Sequence, residues 1–371
     1  MSKKIAIITL HYPYNYGSVF QAYALQTYLE KYDIEVEIID YIQEYDYEKY
    51  KLFRIKQYSK RPQSMIADIL GLYRNISRKN NFLKFRKRFL HLSLKKYHTV
   101  QEMDCLNDYY DAFVCGSDQI WNLDCTNGID KAYFLGFVKE KTKIAYAPSL
   151  AQYEFNNDDY KEMSYYLNRF DFLSVREKTS KKYLKKVTNK DIDVVVDPTL
   201  LLNKEDYDVF LLDKNHNRNQ NYIFVYLLEN NLKLLDYAKK ISNEKKLKII
   251  YISNISKKDD LIMSKYKNVF GTSPENFLKY IYNAKYIITN SFHATVFSII
   301  FHKKFCTFRT KYSSLRMIDL LNSLELSDRL YSDNFLIDKN INYKKVDNNL
   351  ERIKAHSYKY IKKFITKLEG N

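Results

Sequence analysis

One pattern constrains this chain more than any other. A short, nearly continuous apolar run ends in a polar turn, and residues at helical spacing follow. Residues 4–10 (KIAIITL) open it, Asn15, Tyr16, Gly17 and Ser18 make the turn, and residues 19–29 carry helical spacing. Residues 34–40 (IEVEIID) and 110–115 (YDAFVC) are further runs of the same kind. Strands that are apolar on both faces belong in parallel sheets covered by helices. The expected fold class is therefore α/β, with two halves and a cleft between them. Residues 204–220 are polar and aperiodic and read as the connection. A fresh alternation starts at Tyr222. The boundaries expected are 1–205 for an amino-terminal domain and 206–371 for a carboxyl-terminal one.

In open α/β sheets, ligands meet the carboxyl ends of strands and the starts of the following helices. The pattern thus selects residues. After the first strand come Asn15, Tyr16, Gly17, Ser18 and Gln21. A single glycine is not a dinucleotide fingerprint, so Gly17 either cradles a sugar or anion or simply makes the turn. After 110–115 comes GSDQIWN. Gly116 permits a tight turn, and Ser117, Asp118, Gln119, Trp121 and Asn122 offer amides, an acid and an aromatic face, a palette suited to sugars. Asp118 serves equally as a helix cap. Arg176 follows the run FLSV and reads as a fork for phosphate or carboxylate, or as one half of a salt bridge with a neighbouring acid.

In the second half, YIITNSFHATVFSIIFHKKF (286–305) passes from an apolar strand through Thr289, Asn290 and Ser291 to a helical run. His293 sits at the junction, where it can reach an anion and carry a proton near neutral pH. Ser273 followed by Pro274 marks another helix start.

The net charge of +17 is concentrated. Between Lys51 and His98 there are fourteen Lys or Arg and one acid, Asp68, a local net of +13. An anionic membrane surface, a polyphosphate-bearing substrate or nucleic acid would suit it, and so would a solvated basic face. Within it, Phe82, Phe85 and Phe89 share one helical face and read as core, with Lys84, Arg86, Lys87 and Arg88 turned outward. No nucleic-acid motif accompanies these charges. The four cysteines have no metal spacing and read as free thiols, and no metal constellation is visible. The amino-terminal apolar run is too short for a signal peptide, and no run is long enough to span a membrane. A cytoplasmic protein is expected, in peripheral contact with the inner face of the membrane through segment 51–98.

Taken together, NYGSVFQAYAL, VCGSDQIWN, LSVREK, VDPTLL and SPENFLKYIYNAKYIITNSFHATVFSIIF resemble the polysaccharide pyruvyl transferase family, in the same order from the first strand to about Arg329. The resemblance implies two Rossmann-like domains in a GT-B-like arrangement with an interdomain cleft. It also implies transfer of the pyruvate unit of phosphoenolpyruvate onto a glycan or lipid-linked sugar, forming a cyclic ketal and releasing phosphate, with no cofactor. His293 matches the family histidine, Arg176 the arginine after the mid-chain strand, and Arg316 a basic position of the second half. Many members carry an arginine two residues before that histidine, where this chain has Ser291. Arg309, Lys311 and Arg316 are the natural substitutes.

The chemistry implied asks for cations and helix-start amides around the donor and for proton transfers at carbon and oxygen. His293, Asp118 and Arg176 are the catalytic candidates, and Ser291, Arg309, Lys311, Arg316 and Ser273 the donor-binding ones. Asn15, Tyr16, Gly17, Ser18, Gln21, Gly116, Ser117, Gln119, Trp121 and Asn122 are the acceptor-binding candidates. A glycosyltransferase using a nucleotide sugar on the same scaffold is the competing enzyme reading, because fold alone does not fix function.

Overall fold

A computed structural model describes residues 3–51, 72–151, 157–211, 221–253, 263, 265–311 and 314–370. Most of the basic segment 51–98 that precedes residue 72 lies outside these. The described chain is α/β and divides into two compact units, each with its own parallel sheet.

The first unit comprises Met1–Ile76, Leu83–Leu202 and Arg352–Asn371. Its elements are β1 (Lys4–Ile8), α1 (Tyr16–Glu30), β2 (Glu35–Tyr41), part of α2 (Leu72–Phe89), β3 (Leu92–Tyr97), β4 (Ala112–Cys115), β5 (Thr142–Ala145), α3 (Asn157–Leu167), β6 (Phe172–Val175), α4 (Lys178–Leu184) and β7 (Asp193–Val194). The strand order is β3-β2-β1-β4-β5-β6-β7, and every pairing is parallel. In β1, Ile5, Ala6, Ile7 and Ile8 are all fully buried, as a central strand covered on both faces requires. Each large side chain so buried contributes roughly 1.5–3 kcal/mol.

The second unit comprises Ser77–Phe82 and Asn203–Glu351. It holds β8 (Tyr222–Leu227), α5 (Leu232–Lys245), β9 (Lys248–Ser253), β10 (Lys267–Asn268), α6 (Pro274–Asn283), β11 (Tyr286–Thr289), α7 (Phe292–Ile300), β12 (Lys304–Thr307) and α8 (Ser314–Ser323). Its order is β10-β9-β8-β11-β12, again parallel throughout. The long helix α9 (Tyr343–Glu369) begins here and ends in the first unit.

That last course departs from the expected boundary, which gave everything after residue 205 to one domain. Tyr360, Ile361 and Phe364 of α9 are buried, the Tyr360 hydroxyl donates to the Ala145 carbonyl (2.8 Å), and Lys367 pairs with Asp171 (2.8 Å). Residues 352–371 are therefore first-unit structure. The connection also differs from a plain linker, because Lys204–Tyr207 and Asp208–Leu211 are helical and Tyr207 is fully buried.

In α2, Phe82 and Phe85 are fully buried and Phe89 is half-buried. Lys84, Lys87 and Arg88 are exposed, but Arg86, expected outward, is 4% exposed. All four cysteines are free thiols, and among the described residues no His, Cys, Asp or Glu cluster could hold a metal. No described helix is long and apolar enough to cross a membrane.

Candidate functional site

Each strand order reverses direction once, and such a switch point opens a crevice at the carboxyl ends of the two strands involved. In the first sheet it lies between β1 and β4, and in the second between β8 and β11. The turns selected from the sequence sit at these two places.

At the first, β1 runs out through Thr9 into a loop that ends at Asn15. The Asn15 side chain caps α1, accepting from the Gly17 amide (2.9 Å). Gln21, fully buried, ties three segments together. Its Nε2 donates to Thr9 Oγ1 (2.8 Å) and to the Ser18 carbonyl (2.9 Å), and its Oε1 accepts from the Ser117 amide (3.1 Å). Ser117 is itself fully buried and donates its hydroxyl to the Ala147 carbonyl (2.7 Å). Gly116 has φ +119°, and a Cβ there would lie 2.1 Å from the Tyr146 carbonyl oxygen, so only glycine fits. Asp118 then turns through φ +63°, and its Oδ2 accepts from Ser18 Oγ at 2.7 Å. Its carbonyl accepts from the Ser149 amide (2.8 Å), and Ser149 Oγ is enclosed with no hydrogen-bond partner among the described residues. Gln119 and Asn122 bond each other (2.6 Å), and Asn122 caps the short helix Leu123–Thr126. The turns after β1 and β4 thus form one hydrogen-bonded cluster holding Ser18, Gln21, Ser117 and Asp118, with Tyr16 and Gly17 in the first turn of α1.

Two expected members are placed otherwise. Trp121 is fully buried, its indole N–H donates to the Tyr133 carbonyl (3.1 Å), and its ring stacks on Phe134 at 5.1 Å. It is not an open platform for a sugar, because core residues already cover the ring and satisfy its one donor. Arg176 is not an open anion fork. Nε donates to Glu177 (3.0 Å) and Nη1 to Asp197 (2.6 Å), and both acids are buried. Burial works against the Arg176 charge, but Glu177, Asp197 and Asp118 outweigh it and raise its pKa.

At the second switch point, Thr289 Oγ1 donates to the Tyr226 carbonyl (2.6 Å) and accepts from the Ser291 amide (3.0 Å). Asn290 clamps the loop after β8, accepting from the Leu228 amide (2.8 Å) and donating to the Glu229 carbonyl (2.9 Å). Ser291 caps α7 by accepting from the Ala294 amide (3.3 Å). His293 therefore stands in the first turn of α7, 6% exposed, its ring edge-on to Phe292 at 5.2 Å. The Arg316 guanidinium covers the same Phe292 ring at 5.3 Å. Arg309 and Lys311 are exposed on the chain that leaves β12, where the Lys311 amide donates to Glu229 Oε1 (2.6 Å). Ser273 caps α6. The Phe292 ring is thus contacted by both His293 and Arg316, at a helix start that favours anions.

Sequence reasoning passed over His11, Asp40, Ser149 and Glu229, and it turned Arg86 outward. His11 carried a usable signal, because it directly follows the first apolar run.

A family model described as polysaccharide pyruvyl transferase matches residues 15–312. No curated protein sequence matches closely enough to count. Among solved structures, the UDP-GlcNAc 2-epimerase of Methanocaldococcus jannaschii is similar at TM-score 0.56 and 12% identity, over 95% of this chain and 93% of that one. The UDP-GlcNAc 2-epimerase of Neisseria meningitidis, solved with UDP-GlcNAc, is similar at TM-score 0.51 and 9% identity, over 97% and 93%. At such identities the likeness shows the fold, two Rossmann-like units of the GT-B-like kind.

Proposed function

The chain belongs to the polysaccharide pyruvyl transferase family, and from that premise we propose that it moves the pyruvate unit of phosphoenolpyruvate onto two hydroxyls of a sugar in a cell-surface polysaccharide or its lipid-linked precursor. The observation that carries the reading is the second switch point, where the His293 ring and the Arg316 guanidinium each contact Phe292 at the capped start of α7. A small trianion needs cations and helix-start amides. Arg316, Arg309 and Lys311 supply the cations, and the turns begun by Ser291 and Ser273 supply the amides.

The reaction joins both sugar oxygens to the central carbon of the donor and breaks that carbon's bond to the phosphate oxygen. One hydroxyl proton is balanced by the proton gained at the methylene carbon, which becomes a methyl group, and the other by the phosphate that leaves. His293 is assigned the proton delivered to carbon. Asp118, hydrogen-bonded to Ser18, is assigned the acceptor hydroxyl, with Asn15, Tyr16, Gly17, Gln21, Gly116, Ser117, Gln119 and Asn122 shaping that turn. Arg176, engaged by two acids, holds the strand end in place instead of holding the donor. The basic segment 51–98 is assigned to an anionic membrane surface or a diphosphate-linked acceptor, at the inner face of the cell membrane.

The test is incubation with phosphoenolpyruvate and candidate glycans, following phosphate release and an acid-labile mass gain on the glycan. No turnover on any glycan, together with no thermal stabilisation by phosphoenolpyruvate, would overturn it.

A second reading is supported by the ligand of the Neisseria meningitidis neighbour, UDP-GlcNAc. It makes this chain a glycosyltransferase using a nucleotide sugar. Stabilisation by nucleotide sugars and not by phosphoenolpyruvate would select it.

A further inference from the structure

Arg86 lies in the last turn of α2, among charges that the helical spacing turns outward, yet it is 4% exposed. Nη1 donates to the Tyr12 carbonyl (3.2 Å), and the rings of Tyr12 and Tyr14 flank the guanidinium at 5.0 and 5.9 Å. Nη2 is enclosed and has no hydrogen-bond partner among the described residues. No described carboxylate pairs with it. Asp40 is near enough to act on its charge, but the Asp40 Oδ1 faces His11 Nε2 at 3.0 Å, and the other His11 ring nitrogen faces the Thr9 carbonyl (3.2 Å). Burial pulls the Arg86 pKa down, and Tyr14 and Asp40 offset only part of that.

A plain structural account covers some of this. A cation at a helix carboxyl end is favoured, and two tyrosine faces attract it. Neither satisfies an N–H, and a guanidinium has five. Burying a donor and a charge without a partner is costly. The loop that carries Tyr12 and Tyr14 leaves the carboxyl end of β1 and runs directly into α1. That is the edge of the sheet where ligands bind.

We propose that Arg86, walled by Tyr12 and Tyr14, anchors a phosphate-type oxyanion at the carboxyl end of β1. The guanidinium fork matches two oxygens of such a group, and half-buried Tyr12 is the outer wall that moves aside to admit it. The phosphate belongs either to the sugar acceptor or to free phosphate. Only the first source rests on the pyruvyl-transfer reading, and the site itself does not.

The experiment measures binding to the full chain by titration calorimetry, with inorganic phosphate and a hexose 1-phosphate as probes. No turnover enters the readout, so failure of the transferase reading leaves it interpretable. Wild type is expected to bind, Arg86→Gln to lose at least about tenfold in affinity, and Arg86→Lys to fall between. Tighter binding of the ester identifies the acceptor as the source, and equal binding identifies free phosphate. Unchanged affinity in Arg86→Gln, or no binding by wild type, overturns the site. Should Arg86→Gln fail to fold, wild-type crystals soaked in inorganic phosphate decide: phosphate on Nη2 supports the proposal, and phosphate only elsewhere or nowhere overturns it.

Discussion

Ser18 Oγ donates to Asp118 Oδ2 at 2.7 Å, tying the first turn of α1 to the turn after β4 across the switch point of the first sheet. A buried carboxylate held this way is either a base aimed by its partner or a structural clasp, and two substitutions separate the roles. Asp118→Asn keeps the shape and removes the base. Turnover is expected to fall about 10²–10⁴-fold with little change in the unfolding midpoint. Ser18→Ala is expected to cost about 1–3 kcal/mol of stability by chemical denaturation, and to reduce turnover less. Full activity in Asp118→Asn would leave the pair as a clasp.

Arg176 makes the opposite expectation. Its side chain is 3% exposed and sits between Glu177 and Asp197, whose side chains are 5% and 0% exposed. Removing the cation leaves two buried carboxylates uncompensated. Arg176→Met is expected to destabilise by about 3–5 kcal/mol at neutral pH, read from the urea midpoint. Phosphoenolpyruvate affinity in the fraction that stays folded should be little changed. A large loss of donor affinity at unchanged stability would return Arg176 to the donor.

Trp121 is the only tryptophan of the chain, so emission excited beyond the tyrosine absorption band reports on it alone. Stacked on Phe134 and bonded to the Tyr133 carbonyl, it should emit as a buried indole and shift red only on unfolding. Saturating sugar should leave the emission unchanged. Trp121→Ala is expected to cost about 3–5 kcal/mol. Quenching by a glycan in the folded protein would contradict this placement.

These cases mark what a sequence reveals here. Apolar runs announced both parallel sheets, because strands such as 4–8 must be buried on both faces. Ser273 with Pro274 was readable as a helix start because capping is local, and the turn through Ser291 was readable as leading into a helical run, though Ser291 was not singled out as its cap. Trp121 and Arg86 were not readable, because their partners are Phe134 and the loop of Tyr12, and spacing along one element says nothing of what packs on it. For Arg176 the salt bridge with a neighbouring acid was one of the two readings and is met by Glu177, while distant Asp197 was out of reach. For α9 the destination is set by distant groups such as Ala145 and Asp171, which spacing along the helix does not name.

Asp40 gives the first unit an acid limit. Burial pushes its carboxyl upward, but the hydrogen bond and charge of His11, with the charges of Lys96 and Arg86, together hold it below the usual carboxylate range. A depressed folded pKa contributes stability above the unfolded value, about 3.9, and loses it as pH falls through the lower folded value. The unfolding midpoint should therefore drop below about pH 4 in wild type. In Asp40→Asn it should start lower at neutral pH and change less on acidification. An unchanged acid limb in that variant would show that other carboxylates set it.

If the proposed roles hold, proton transfer and donor binding at the second switch point are separable in kinetics, because His293 and Arg316 both contact Phe292 but differ in what they offer. Arg316 brings a fixed charge, so Arg316→Gln should raise KM for phosphoenolpyruvate about tenfold or more with a smaller change in kcat. His293 is proposed to transfer a proton, so His293→Gln should lower kcat about 10²–10⁴-fold with donor binding largely kept. Ser291 caps the helix beneath both, and Ser291→Ala should cost about 1 kcal/mol of stability while loosening donor binding only mildly. If His293→Gln instead raises KM and spares kcat, the histidine is a phosphate ligand, and the proton must come from another group.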